Sequence, residues 1–215
     1  MVDLKNTTIV SVACVRVIET LNAIKKSMSG IDFYDAKLIT SQDIFDDKVK
    51  TIKINNLDYE QYNKFIVYEL HKYIETDYLL IIQDDGYVIN PTQWRDDFFK
   101  YDYIGAPWDM PTDSFSCRDP FNNIIRVGNG GFSFRSKKLI SLPSILNLEW
   151  KSYFGYFNED GFFSVHNRHI FESHGCNFAP IDVAKYFSHE AEMPETQGIV
   201  PFGFHGKWSK YNMTY

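Results

Sequence analysis

The sequence predicts an α/β protein whose mostly parallel sheet is flanked by helices. Two observations carry this reading. Short apolar runs alternate with stretches of helical spacing through the first half, in the order β-α-β-β-α-β, and neighbouring parallel strands need such crossovers. The run at 7–15 is apolar and β-branched and that at 78–82 apolar, neither alternating, the pattern of strands covered on both faces.

Taken in order, residues 7–15 read as the first buried strand. Residues 17–28 follow with helical spacing of Ile18, Leu21, Ile24 and Met28, and Ser29-Gly30 supplies a stop. Residues 36–40 predict a second strand, and 48–54 a third with period-2 alternation. Residues 59–74 predict a helix whose buried stripe is Tyr62, Phe65, Ile66, Glu69 and Leu70, and 77–82 the next strand. The second half is different in character. Gly, Pro and aromatic residues crowd 101–134, with short strands expected at 102–104 and 131–134; helices are expected at 136–146 and 160–174, and 191–215 has little periodicity. One domain over 1–215 is expected, with a nucleotide-binding half of about 1–100 and an acceptor- and sugar-side half of about 101–215.

A chain of 215 residues, 44% hydrophobic and 23% charged, can bury a real core and does not have the composition of a disordered segment. Aromatic residues make up 17%, enough either to thicken a sheet core or to leave rings for stacking on sugars. With 22 basic and 28 acidic residues the net charge is −6, and no basic run occurs, which argues against a nucleic-acid partner. Cys14, Cys117 and Cys176 are widely spaced and odd in number, so they predict free thiols rather than a zinc site or disulfide framework. No apolar run is long enough to span a membrane, and the N-terminus lacks a signal-peptide pattern, so the expected location is cytoplasmic.

Ligands of open parallel sheets bind beyond the carboxyl ends of the strands. The strand at 77–82 runs directly into Gln83-Asp84-Asp85-Gly86. Adjacent carboxylates there need a positive partner, and a divalent cation that shares its coordination sphere with phosphates is one. An Asp-Asp-Gly turn closing a buried strand is the plainer alternative.

A strand ending in Gln83-Asp84-Asp85 resembles the acidic motif of the GT-A glycosyltransferases. Three later segments add to that resemblance: Val127-Gly128-Asn129-Gly130-Gly131-Phe132, similar to a glycine-bearing sugar pocket; Asn158-Glu159-Asp160, similar to an acidic pair at a helix N-terminus; and His205-Gly206-Lys207-Trp208, similar to a His…Gly…Lys-Pro-Trp segment. In this order the set is similar to a family of uncharacterised glycosyltransferase-like domains. It is also similar to the capsid-glycosylating domains of large algal DNA viruses, in which case the location would be host cytoplasm. The resemblance runs from Thr7 to Trp208.

The resemblance implies a GT-A fold and a metal-dependent hexosyl transfer from a nucleoside diphosphate sugar, with UDP-sugar preferred, to a hydroxyl of a glycan or glycoprotein. It implies Mn²⁺ or Mg²⁺ held by Asp85 and His205, with Asp84 facing the ribose and Lys207 the diphosphate. Gln83 departs from the acidic residue usual at its position. Gly128, Asn129 and Gly130 would line the sugar pocket. Ala13, Val15 and Arg16, at the end of the first strand, and Asn63 and Lys64, on the helix before the acidic motif, would meet the nucleoside. Asp160 would act as base in an inverting displacement, with Glu159 sharing the role or positioning the sugar. Trp108 and Phe132 would offer apolar platforms, core packing being the alternative for both. Other classes stay open: a sugar nucleotidyltransferase, which usually has a Gly-rich basic loop that Cys14-Val15-Arg16-Val17 is not, and a catalytically inactive binding protein on the same fold. A glycosidase using Asp84 and Asp85 is disfavoured, because neighbouring residues on one turn cannot flank a glycosidic bond.

Overall fold

The computed structural model describes residues 1–152 and 158–206. The first half runs β1 (Val2–Val12), α1 (Val17–Ser27), β2 (Ile31–Thr40), β3 (Lys50–Lys53), α2 (Tyr59–Tyr68) and β4 (Tyr78–Ile82). The second runs β5 (Tyr103–Ile104), β6 (Ala106–Pro107), β7 (Val127–Gly128), β8 (Phe132–Ser136), α3 (Lys137–Ile145), α4 (Glu159–Gly161), α5 (Arg168–Ser173), α6 (Ile181–Phe187), β9 (Ser188–His189) and β10 (Gly203–Phe204). The main sheet has the order β3-β2-β1-β4-β8-β5. Its first four strands are parallel, with Ile9 of β1 opposite Ala36 on one side and Leu80 on the other. Strand β8 returns antiparallel along β4, and β5 pairs antiparallel with β8. The expected α/β class and the mostly parallel sheet are both present.

Alternate side chains of β4 explain its uninterrupted apolar sequence. Leu80 and Ile82 pack with Leu21 and Ile24 of α1 and with Phe132 and Phe134. Leu79 and Ile81 pack on the opposite face with Phe65, Ile66 and Leu70 and with Phe163 and Phe171. Much of the aromatic content is spent in these two cores. Trp94, for example, sits edge-on to Phe98, Phe99, Phe134 and Phe202, at centroid separations of 5.2–5.3 Å.

Local chemistry sets the helix starts. Asp58 caps α2 by accepting from the Gln61 amide at 2.8 Å, and the Gln61 side chain accepts from the Asp58 amide at 2.9 Å. Helix α1 follows directly on Arg16, which has left-handed backbone angles (φ 49°).

Several boundaries differ from the sequence reading. Strand β1 begins at Val2 and β2 at Ile31, because the polar-alternating ends Val2, Asp3 and Leu4 pair with Ile31, Asp32 and Phe33 across a register shift. On α1 the buried residues are Val17, Thr20, Leu21, Ala23, Ile24 and Ser27, whereas Ile18 is 55% exposed. The helix expected over 59–74 leaves helical angles at Glu69 (φ −114°) and tightens into a 3-10 turn, Leu70–Tyr73. The helix expected over 160–174 is three pieces, with a π-helical turn, Phe162–His166, between α4 and α5. Helix α6 has no counterpart in the sequence reading.

Leu80 is fully buried between two sheet neighbours. Leu80→Ala is therefore expected to lower unfolding free energy by about 2–5 kcal/mol, while Ile18→Ala stays within about 0.5 kcal/mol of the parent, both read from urea denaturation.

Candidate functional site

Strands β2 and β4 lie on opposite sides of β1, so the direction of winding reverses between β1 and β4, the place where open α/β sheets bind ligands. A cavity of about 410 Å³ opens there, within the size range of small-molecule sites. Ala13, Cys14 and Val15 form its wall beyond β1, Leu57, Asp58, Tyr59 and Tyr62 line the α2 side, and Gln83 and Asp84 close it at the end of β4. Arg16, at a left-handed turn just after this wall, pairs with Asp84, its Nε 2.7 Å from Asp84 Oδ2. Ala13, Val15, Arg16, Gln83 and Asp84 are thus gathered at one place. Cys14 is partly buried in the same wall, and none of the three cysteines is in a disulfide.

Asp85 meets a residue from the far end of the described chain. His205 Nε2 lies 3.4 Å from Asp85 Oδ1 and 3.2 Å from Gln83 Oε1. The other ring nitrogen, Nδ1, lies 2.9 Å from Asn129 Nδ2 and 3.6 Å from Glu190 Oε1. Burial opposes a charge on this imidazole, but hydrogen bonds and charges of Asp85 and Glu190 outweigh it and push the pKa up to about 9. Glu190 is held below the usual carboxylate range; burial acts the other way and is outweighed by His205, Asn129 and Trp108. Gln83 is fixed from both ends, since its Nε2 donates to the Tyr62 hydroxyl at 2.8 Å.

Among the described residues no three His, Cys, Asp or Glu side chains form a metal cage. The Asp85 carboxylate, Gln83 amide oxygen and His205 imidazole do converge, however, and an oxygen and imidazole set is one that a divalent cation such as Mn²⁺ would accept. The residues present fit a shared metal site better than a self-sufficient one.

The glycine-bearing segment builds the site from beneath. A side chain at Gly128 would overlap the indole of Trp108, and one at Gly130 would overlap the Glu159 carboxylate. These glycines therefore make room for the protein's own side chains. Between them Asn129 is buried in the left-handed region (φ 73°), accepts from the Phe132 amide at 3.2 Å and reaches His205.

Other expected residues are reassigned by their surroundings. Phe132 is fully buried against Phe187 and Phe202, so it belongs to the core and offers no sugar platform. Trp108 is partly exposed and remains available. Helix α2 opens at Tyr59, as the sequence predicts, so Asn63 and Lys64 lie in its second turn. Asn63 is buried, donates to the Tyr59 carbonyl and accepts from the Glu159 amide at 2.8 Å, so it ties two elements together rather than meeting a nucleoside. Lys64 points to solvent and pairs with Glu60 at 2.6 Å. Lys207 and Trp208 lie outside the described residues.

Glu159 and Asp160 open α4 but live in different environments. Glu159 is buried and forms an ion pair with fully buried Arg135 at 2.6 Å, and the guanidinium sits over the rings of Tyr103 and Phe163. That pairing removes Glu159 from a shared base role. Asp160 accepts from the Gly161 amide at 2.7 Å. Its pKa is pushed up to about 6, first by burial and then by the Glu159 charge, against the Gly161 hydrogen bond and Arg135. The cavity wall reaches this corner, because the Tyr59 hydroxyl donates to Asn158 Oδ1 at 2.7 Å.

Sequence reasoning missed Glu190, Tyr62 as a partner of Gln83, and Arg135. The last carried a signal, a lone charge inside the buried run of β8 that called for a buried carboxylate. Glu190 carried none, because it depends on α6 and β9.

Comparisons with known proteins agree with the architecture. The glycosyltransferase involved in glycosylation of the major capsid of PBCV-1 superposes with a TM-score of 0.55 at 14% identity, covering 94% of this chain and 93% of that one. The galactosyltransferase LgtC, in complex with donor and acceptor sugar analogues, gives 0.55 at 11% identity over 95% and 90%. The glycosyltransferase GlyE of Streptococcus pneumoniae TIGR4 gives 0.50 at 13% identity, over 96% of this chain and 57% of that one. At these identities the likeness establishes the fold, which is GT-A. No curated protein matches by sequence. A family model described as protein of unknown function (DUF5672) matches residues 46–205, and the chain belongs to that family.

Proposed function

We propose that this chain is a metal-dependent glycosyltransferase that moves a hexosyl group from a nucleoside diphosphate sugar, a UDP-sugar by preference, to a hydroxyl of a glycan or glycoprotein. One observation carries the reading: His205 meets Gln83 and Asp85, 122 positions away at its contact with Gln83, beside the cavity between β1 and β4 that Gln83 and Asp84 line. The GT-A fold supports it, and among the described residues no helix is long and apolar enough to cross a membrane.

In this reading the cavity takes the nucleoside, with Ala13 and Val15 on one wall and Tyr59 on the other. Arg16 holds Asp84 toward the ribose, and Asp85, His205 and the amide oxygen of Gln83 hold Mn²⁺ or Mg²⁺. The cation, when bound, offsets charge that develops on the departing diphosphate. Lys207, two residues after His205 in the sequence, would add a second positive contact. Trp108 offers its ring to the acceptor side. Asp160, with a pKa near 6, is ionised at neutral pH and can still take a proton from an acceptor hydroxyl. The oxygen of that hydroxyl would bond to the anomeric carbon from the face opposite the leaving diphosphate, whose bond to the carbon breaks, and the configuration would invert.

A catalytically inactive binding protein on this fold is the second reading. Gln83 favours it, since a neutral amide bonded to Tyr62 and His205 replaces an acidic residue. Turnover separates the two.

Asp85→Ala is expected to abolish Mn²⁺-dependent stabilisation by UDP-sugars in a thermal-shift assay, with the circular dichroism spectrum retained; undiminished stabilisation would reject the metal assignment. Asp160→Asn is expected to keep donor binding and lose about 10²–10⁴-fold in transfer rate. Parent activity should rise with pH through about 6 and level off above it, because the carboxylate must be ionised to accept a proton. The same raised pKa lowers stability between the unfolded value, about 4, and about 6, as the folded state resists ionisation. Asp160→Asn should accordingly melt above the parent at pH 8, with no gain below pH 4. Product anomers read by NMR should be inverted.

A further inference from the structure

Glu190 has no part in the function proposed above, yet it touches two of its participants. Strands β9 and β10 pair in parallel, with Ser188 opposite Gly203 and His189 opposite Phe204. The His205 amide then donates to the His189 carbonyl at 3.0 Å. This register sets Glu190 beside His205 by backbone geometry, independently of either side chain.

The Glu190 carboxylate divides its two oxygens between different partners. Oε2 accepts from the Trp108 indole at 3.1 Å, and Oε1 faces His205 Nδ1 at 3.6 Å. The indole has little freedom, because its ring packs over Gly128, where any side chain would collide with it. The opposite edge of the imidazole faces Asp85 and Gln83. A histidine that binds a metal needs its ring orientation and tautomer fixed by whatever its other nitrogen meets, and a carboxylate in that place also raises its basicity. Asn129 cannot do this, because its Oδ1 accepts from the Phe132 amide and leaves Nδ2, which can only donate, 2.9 Å from Nδ1; that contact favours the proton on Nε2, whereas the Glu190 carboxylate favours it on Nδ1 and leaves Nε2 free for a metal.

We propose that Glu190 is a positioning residue: it fixes the His205 ring with Nε2 toward Asp85 and ties that ring to the Trp108 indole, joining the donor side of the site to the acceptor side. This rests on the donor-site reading above. Displacement of the indole by an acceptor sugar would then be felt at His205 through one carboxylate, without movement of the backbone.

The test uses Glu190→Gln, which keeps size and an acceptor oxygen but removes the charge, and Trp108→Phe, which leaves the carboxylate but removes its indole donor. Two readouts are taken on chains whose circular dichroism matches the parent. The first needs no ligand: the ¹⁵N shifts of the His205 ring, assigned with His205→Gln, report its tautomer and protonation. The second is the Mn²⁺ concentration needed for UDP-dependent thermal stabilisation. Glu190→Gln is expected to change the ring shifts and raise the Mn²⁺ requirement about 10- to 100-fold. Trp108→Phe is expected to shift the same ring signals, with a rise of about 2- to 10-fold, the value of one hydrogen bond. Unchanged ring shifts in Glu190→Gln overturn the positioning role whatever the binding result. Changed shifts with a parent that never responds to Mn²⁺ and UDP overturn the donor-site reading instead, and the role of Glu190 in that site falls with it.

Discussion

The segment around Phe202 to Gly206 lies along the chain that follows β4, and the candidate site depends on that docking. The Ile89 and Asn90 amides donate to the Phe202 carbonyl, the Phe204 amide donates to Tyr87, and the Gly206 amide donates to the Asp85 carbonyl at 2.9 Å. Buried Phe202 and Phe204 hold the segment in the core, with the Phe204 ring edge-on to Tyr87 at 4.7 Å. Between these anchors His205 has one direction left to face, toward the acidic turn. Apolar burial and backbone hydrogen bonds thus place the ring, and its electrostatic partners are met afterwards.

Charge is distributed with the same economy. Asp84 has Arg16, Asp85 and Glu190 share His205, and Glu159 has Arg135. Pairing lets an acidic site persist partly out of water, where an isolated carboxylate would be costly. Asp160 differs, with burial and the Glu159 charge outweighing what Gly161 and Arg135 return. A group poised to change its charge is the natural result. The Arg135–Glu159 pair also supports α4 from below, and removing either partner would leave a buried charge without its counter-ion, the expensive half of a buried salt bridge.

The residues legible in sequence were those whose role follows from position along a single element. Strand β4 and its acidic end read directly, because a continuous apolar run terminated by carboxylates has few other meanings in an α/β chain. Ala13, Val15 and Arg16 were reachable by the same rule applied to β1. Residues whose role depends on which surface packs against which were not legible. Phe132 and Trp108 are both aromatic residues near glycines, and only the arrangement of Phe187 and Phe202 sends one to the core. Asn63 and Lys64 are adjacent on α2, and only the packing of α2 against Glu159 decides that one is buried and the other solvated. Helix α6 is too short for its period to stand out, and Glu190 was lost with it.

The bond between His205 and Gln83 also has a kinetic meaning. It closes a loop of 122 positions, and contacts of such separation are made after the local ones that shorten the effective chain. Strands β1, β2 and β4 all lie within the first 82 residues, whereas the site also needs β10 and His205. A chain that stops at β4 therefore holds the acidic turn but not the imidazole that meets it, and the two are joined only through residues more than a hundred positions apart.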